Sequence, residues 1–288
     1  MVPNRAAIEK TLLYSDLFDY PLKKEEIWRY LISSNKTSKN LLDKLIKENS
    51  SIHRLGKYYF INKRREIVSI RTKREKLSRE KIIYARKLVK KLSIVPTVML
   101  IGISGSLSVN NSEKDDDIDL FIISSKNSVW TTRFILILFL LMGGKYRRRN
   151  DIQIAGKFCL NMIMDETVLE LPKKRHDLYT AHEVSQMLPV FSRNNTYDHF
   201  LEANKWVLGF MTNSLSARSK YVEEKDSLVT VFLRFIIGIF KIEKIARTVQ
   251  KAYMHKRTNE TVSDNFLAFH PIDSRSTTLR KFTKLVKF

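Results

Sequence analysis

The chain has 288 residues, 43% of them hydrophobic, with 52 Lys and Arg against 30 Asp and Glu and a net charge of +22. This is a globular chain able to bury one large core and at least one smaller one. Its charge exceeds what solubility needs and points to a polyanionic partner, nucleic acid first, with an anionic membrane surface and the ribosome as rivals. The one cysteine, Cys159, excludes an internal disulfide, fits a reducing cytoplasm and reads as an inert thiol in an apolar strand. Six histidines and that cysteine show no zinc spacing. The amino terminus lacks the apolar core of a signal peptide. The longest unbroken apolar run, residues 134–142, is far short of the ~20 residues that span a bilayer.

In chain order, Ile8, Leu12, Leu13 and Leu17 recur at helical spacing, and residues 22–31 repeat the theme. A third helix starts at Thr37 or Ser38 as N-cap and carries Leu41, Leu42, Leu45 and Ile46. Ser-Ile-His-Arg, a Leu-Gly-Lys turn and Tyr-Tyr-Phe-Ile then read as a hairpin. Three short helices closed by a basic hairpin resemble a winged helix over residues 1–64, with 37–49 as recognition helix and 52–61 as wing. Residues 1–91 hold 24 basic and 10 acidic side chains, a net +14. Lys39, Lys44, Lys47, Arg54, Lys57 and Lys63 are therefore the expected phosphate contacts, against the alternative that the module packs or docks protein. From 65 to 92, Leu77, Ile82, Ala85, Leu88, Val89 and Leu92 line one helical face that ends before Pro96, with no flexible linker.

Residues 98–103 form an apolar run that suits a buried strand and stops at Ser104-Gly105-Ser106. Ten residues on, Asp117 and Asp119 alternate with Ile118, Leu120 and Ile122, so in a strand both carboxylates share one face and can grip Mg²⁺. Apolar strand, Gly-Ser turn and Asp-x-Asp in a second strand resemble the nucleotidyltransferase superfamily typified by DNA polymerase beta. The resemblance implies that Gly105 and Ser106 hold the triphosphate of an NTP and that Asp117 and Asp119 bind the catalytic metals. It also implies a third carboxylate on a neighbouring strand. The expected strand is 157–164, whose central polar residue is Asn161, an amide that can ligate Mg²⁺ but brings no charge and cannot act as base. Asp151 and Asp165 flank it as substitutes.

An apolar helix is expected over 128–142, ending at Gly143-Gly144, with Arg147-Arg148-Arg149 beyond as a phosphate contact or a solvated loop. Past residue 172 the chain reads as wholly helical, with a buried helix over 228–240 and a basic, partly disordered tail from 275. His182 and Glu183 are adjacent on a helix, about 100° apart, and do not form an acid–base pair; His182 reads as packed.

The expected fold is α+β: a winged-helix-like domain (1–64), a nucleotidyltransferase core with a mixed sheet (65–171) and a helical carboxy-terminal domain (172–288). The expected function is Mg²⁺-dependent transfer of a nucleoside monophosphate from an NTP to a hydroxyl acceptor with release of pyrophosphate. The alternative is a non-catalytic nucleic-acid-binding or regulatory protein with a degenerate core, which the absent third carboxylate keeps open.

Overall fold

The computed structural model describes residues 5–148, 150–216, 220–254, 261–269 and 274–286. The amino-terminal part consists of α1 (Arg5–Asp16), the two-residue strand β1 (Leu22–Lys23), α2 (Lys24–Arg29), α3 (Lys39–Lys47) and the strands β2 (His53–Leu55) and β3 (Tyr58–Phe60). Ser38 caps α3 by accepting the Leu41 N–H at 3.2 Å. Gly56, at φ +59°, turns the β2–β3 hairpin. β1 adds to the far side of β3 to make a three-stranded sheet, and Ile8, Leu12, Ile27, Leu31 and Leu42 close a small core.

The long helix α4 (Glu66–Leu92) leads into β4 (Val98–Ile103), the single-turn α5 (Gly105–Ser108), β5 (Ile118–Ser124), α6 (Val129–Met142) and β6 (Phe158–Asp165). After these come α7 (Leu178–Gln186), β7 (Leu188–Arg193), α8 (Thr196–Ala203), β8 (Val222–Glu224), α9 (Leu228–Ile239), α10 (Ile242–Tyr253), β9 (Thr261–Val262), β10 (Phe266–Ala268) and α11 (Ser274–Val286). Seven strands join in one mixed sheet, ordered β8-β7-β4-β5-β6-β10-β9. β5 and β6 run parallel, joined by the crossover helix α6, whereas β4 is antiparallel to both β5 and β7. An apolar 14-residue helix is what such a crossover requires, since it must cover the sheet it bridges.

Strand alternation sorts the apolar side chains into two layers. Ile101, Leu120, Ile122 and Ile163 meet α4 and α6 through Val89, Leu92, Trp130 and Leu136. Leu100, Phe121, Ile123 and Met164 meet α7 and α8 through Ala181, Val184 and Phe200. The chain past residue 172 therefore is not a separate helical domain: it contributes β7, β8, β9 and β10 to the central sheet. β7 follows α7 with only Met187 between, so the helical pattern reads on into it, and β9 and β10 are two and three residues long. The helix expected to be buried at 228–240 has no buried residue as α9. The expected disordered tail is helical from Ser274 to Val286 and packs on α1 and α7. No helix among the described residues is long and apolar enough to cross a membrane.

The amino-terminal module is clasped to the sheet rather than tethered. Ser33 N–H donates to Phe210 O at 2.8 Å, Thr212 N–H to Ser33 O at 3.2 Å, and Asn213 Nδ2 reaches Trp28 O and Thr37 O. The Tyr14 ring stacks on His182 at 4.1 Å, and Tyr20 Oη donates to Val109 O at 2.7 Å. Part of the basic charge is consumed inside. Arg71, fully buried, binds Glu26 at 2.8 Å and Glu75 at 3.0 Å, with its guanidinium 3.6 Å from the Tyr20 ring centre. Arg71→Ala leaves buried Glu75 with Lys23, 2.7 Å away, as its close cation and removes the bond to Glu26, so urea unfolding should show a loss of about 1.5–3 kcal/mol. A loss below ~1 kcal/mol would mean that the cluster is not a structural link.

Candidate functional site

The site forms where the turn after β4 meets the start of β5. Gly105 sits at φ +64°, and a Cβ there would lie 2.8 Å from Oδ2 of Asp119. Only glycine accepts both the backbone angle and that approach. The turn is tied to β5 by Ser104 N–H to Asp119 O at 3.0 Å. The loop between them is held by Asp116, whose Oδ2 accepts from Ser106 Oγ at 3.1 Å and from Glu113 N–H at 2.8 Å. Lys81 of α4 reaches in to donate to Asp116 O at 2.8 Å and Ser112 Oγ at 3.1 Å. Asp116 is thus a structural pin.

Asp117 and Asp119 come together, and a third side chain joins them: an oxygen of each and Sγ of Cys159 lie within 4.8 Å of one another. Cys159 owes its place to register, because β5 and β6 run parallel with Asp119 beside Cys159. The register then slips, Leu120 pairing with Leu160 but Phe121 with Met162, which leaves Asn161 as the extra residue of a bulge. Asn161 lines a small cavity with Ser104, Met187 and Glu183. Of the two other acids, Asp151 pairs with Lys157 at 2.8 Å, and buried Asp165 holds Thr167 and the Asn127 N–H.

The electrostatics are those of crowded carboxylates. Burial, then the charge of Asp117, pushes Asp119 up to about 7. Burial also raises Asp117, though the Arg147 guanidinium, 2.8 Å away through Nη1, opposes the rise. Burial and the two aspartates drive the Cys159 thiol far above its usual range, so it stays protonated. A protonated thiol is no partner for a hard cation, while two carboxylate groups suit Mg²⁺. Of the arginine triplet, Arg147 belongs to the site; Arg149 lies outside the described residues.

A cavity of about 280 Å³ opens beside the turn, walled by Gly105 and Ser106 on one side and by α1 and α7 on others. Its lining includes the rings of Tyr14, Phe18, Tyr20, Tyr30 and Tyr179, with Glu183 and, among the described residues, no lysine or arginine. Burial pushes Glu183 up to about 7, whereas burial pulls His182 down to about 4, and His182 Nδ1 bonds Leu178 O. His182 is a packed side chain, as its sequence context indicates. Glu183 is the residue that sequence reasoning passed over, because only the fold brings α7 to the Gly-Ser turn.

A carboxylate whose pKa is higher in the folded than in the unfolded chain takes up a proton on folding. Its contribution is present below the ordinary carboxylate range and is lost as pH rises toward its folded value. Asp119→Asn should therefore raise Tm above pH 7 and flatten the decline expected for the wild-type chain between about pH 4 and 7, both read by thermal unfolding. An unchanged Tm at pH 8 would mean that ionised Asp119 carries no strain. Against this geometry, no family model, no characterised protein and no solved structure matches the chain, so its function has to be read from its own residues.

Proposed function

We propose that the protein is a Mg²⁺-dependent nucleotidyltransferase that moves a nucleoside monophosphate from an NTP to a hydroxyl acceptor and releases pyrophosphate. The observation that carries this is the pair Asp117 and Asp119, both shifted toward protonation, with Asp119 packed against Gly105. Two carboxylates that repel at neutral pH are relieved by a divalent cation, and Mg²⁺ held there would neutralise charge on the transferring phosphoryl group. Arg147 occupies Asp117 until a competing charge arrives, and its guanidinium is then free to turn toward phosphate oxygens. Ser106 and the backbone of the turn are the proposed triphosphate contacts.

The cavity beside the turn is the proposed acceptor site. Five aromatic rings and one carboxyl group, in a chain of net charge +22, suit a small neutral or amine-bearing hydroxyl compound better than a polyanion. Glu183, poised near neutral pH, is the proposed base for the acceptor hydroxyl.

Asp117→Asn and Asp119→Asn should each reduce pyrophosphate release from a panel of NTPs to background, while the proteins remain folded. Cys159→Asp sets a third carboxylate beside Asp119 and should tighten Mg²⁺ binding, read by calorimetry; Asn161→Asp should do less, being two residues farther along β6. The reverse order would restore Asn161 as the third position. Full Mg²⁺-dependent turnover by Asp119→Asn would refute the assignment.

The second reading is a non-catalytic protein with a degenerate core, in which Arg147 neutralises Asp117 permanently and the basic module binds nucleic acid. The Arg147–Asp117 pair favours it. Of the six expected phosphate contacts, Lys39 faces Glu25 at 2.8 Å, while Lys44 and Lys57 reach Glu48 and Glu75 at 4.0 Å. With Lys47, Arg54 and Lys63 as the three contacts, the log–log salt slope in filter binding to DNA or RNA should be about −3. No binding at low salt would remove this reading.

A further inference from the structure

The helical hairpin α9–α10 carries a surface that neither catalysis nor nucleic-acid binding uses. On α9, Leu228 is 90% exposed, Phe232 60%, Phe235 64% and Ile239 54%, and Phe240 just beyond is 65% exposed. The helix is held to the body on its one charged side. Arg234 forms a bidentate pair with Asp226, 2.6 and 2.8 Å, and donates to Pro96 O at 2.6 Å. Next to it, α10 turns Ala246 and Gln250 inward and leaves Ile245 and Tyr253 outside, 62% and 82% exposed. An apolar face of this extent marks a docking surface.

Its charge identifies the occupant. Lys241, Lys244 and Lys251 are exposed along the same hairpin. α9 contains no acid, and the only acid of α10, Glu243, is engaged at the start of α6, where it accepts from the Trp130 and Thr131 N–H groups. A duplex would meet the lysines but gain nothing from the apolar face, and a single strand that stacked bases on Phe232 and Phe235 would still leave the aliphatic Leu228, Ile239 and Ile245 in water. A second copy would bring one +22 chain against another. An anionic bilayer answers both features, since the acyl boundary takes up the rings while lipid phosphates meet the lysines. At 1.5 Å per residue the 12-residue α9 is about 18 Å long, against ~30 Å of hydrocarbon, so the hairpin lies in the interface and does not span it. We propose that α9–α10 docks the protein, reversibly and in the plane of the surface, on an anionic lipid bilayer.

The test is co-sedimentation of the full chain with vesicles of phosphatidylcholine alone or with 30% phosphatidylglycerol. Binding is expected to the anionic vesicles and to fall at least tenfold in the double variant Phe232→Ser, Phe235→Ser. Both rings are exposed, so folding is not at stake. Lys241→Gln with Lys244→Gln and Lys251→Gln should also weaken binding and reduce its salt dependence. A tryptophan placed by Phe240→Trp should shift its emission to the blue on anionic vesicles only. The proposal is overturned if the wild-type chain ignores anionic vesicles, or if the serine variant binds them as well as wild type. It is equally overturned if light scattering shows a dimer that the serine variant abolishes and vesicles do not displace.

Discussion

The site depends on one close approach: the carboxylate of Asp119 pressed against the backbone of Gly105. Because Gly105 has no Cβ and tolerates φ +64°, the turn after β4 can fold down onto β5, and Asp119 loses much of its hydration in doing so. The raised pKa values, the repulsion with Asp117 and the engagement of Arg147 all follow from that burial. Asp116 and Lys81 keep the intervening loop from relaxing away, which ties the site to α4 and, through α4 and Arg71, to the amino-terminal module.

That linkage changes what the amino-terminal module is for. Its tyrosines wall the cavity beside the Gly-Ser turn, Tyr14 stacks on His182, and its backbone pairs with residues 210–212. A module so engaged contributes to the shape of a pocket whatever its exposed lysines do. Much of the basic charge of residues 1–91 answers acids of the module, of α4 or of the core: Arg64 with Asp16 and Asp19, Arg71 with Glu26 and Glu75, Arg74 with Glu113. The number of basic residues therefore overstates the cations free to contact a polyanion, while the net charge already subtracts the paired acids.

Legibility in the sequence followed the range of the interactions. The N-cap Ser38, the Gly56 hairpin, the apolar strand before Ser104 and the alternation of Asp117 with Asp119 are set by neighbours a few residues away, and each was readable. The Cys159 position was not, because the pairing of Asp119 with Cys159 is fixed by the register of two strands joined by a long crossover, while polar character points to Asn161. Glu183 was missed for a similar reason: neither its neighbour His182 nor its own helix shows that α7 ends up against the Gly-Ser turn. The short strands β8, β9 and β10 owe their existence to edges of a sheet formed elsewhere, and two or three residues carry no period of their own.

The α9 helix shows the limit of hydrophobicity as a guide. An apolar stretch of twelve residues reads as core whenever a chain is taken to bury what is greasy, yet the sheet faces here are already filled, by α4 and α6 on one side and α7 and α8 on the other. With no vacant face to cover, α9 is held by its packing on α10 and by Arg234, which pairs with Asp226 and donates to the Pro96 carbonyl. The α9–α10 hairpin could have been polar on its outer side at no cost to the fold. It instead combines exposed phenylalanines with lysines that no acid of the hairpin offsets, a composition that suits the proposed docking on a surface both oily and anionic.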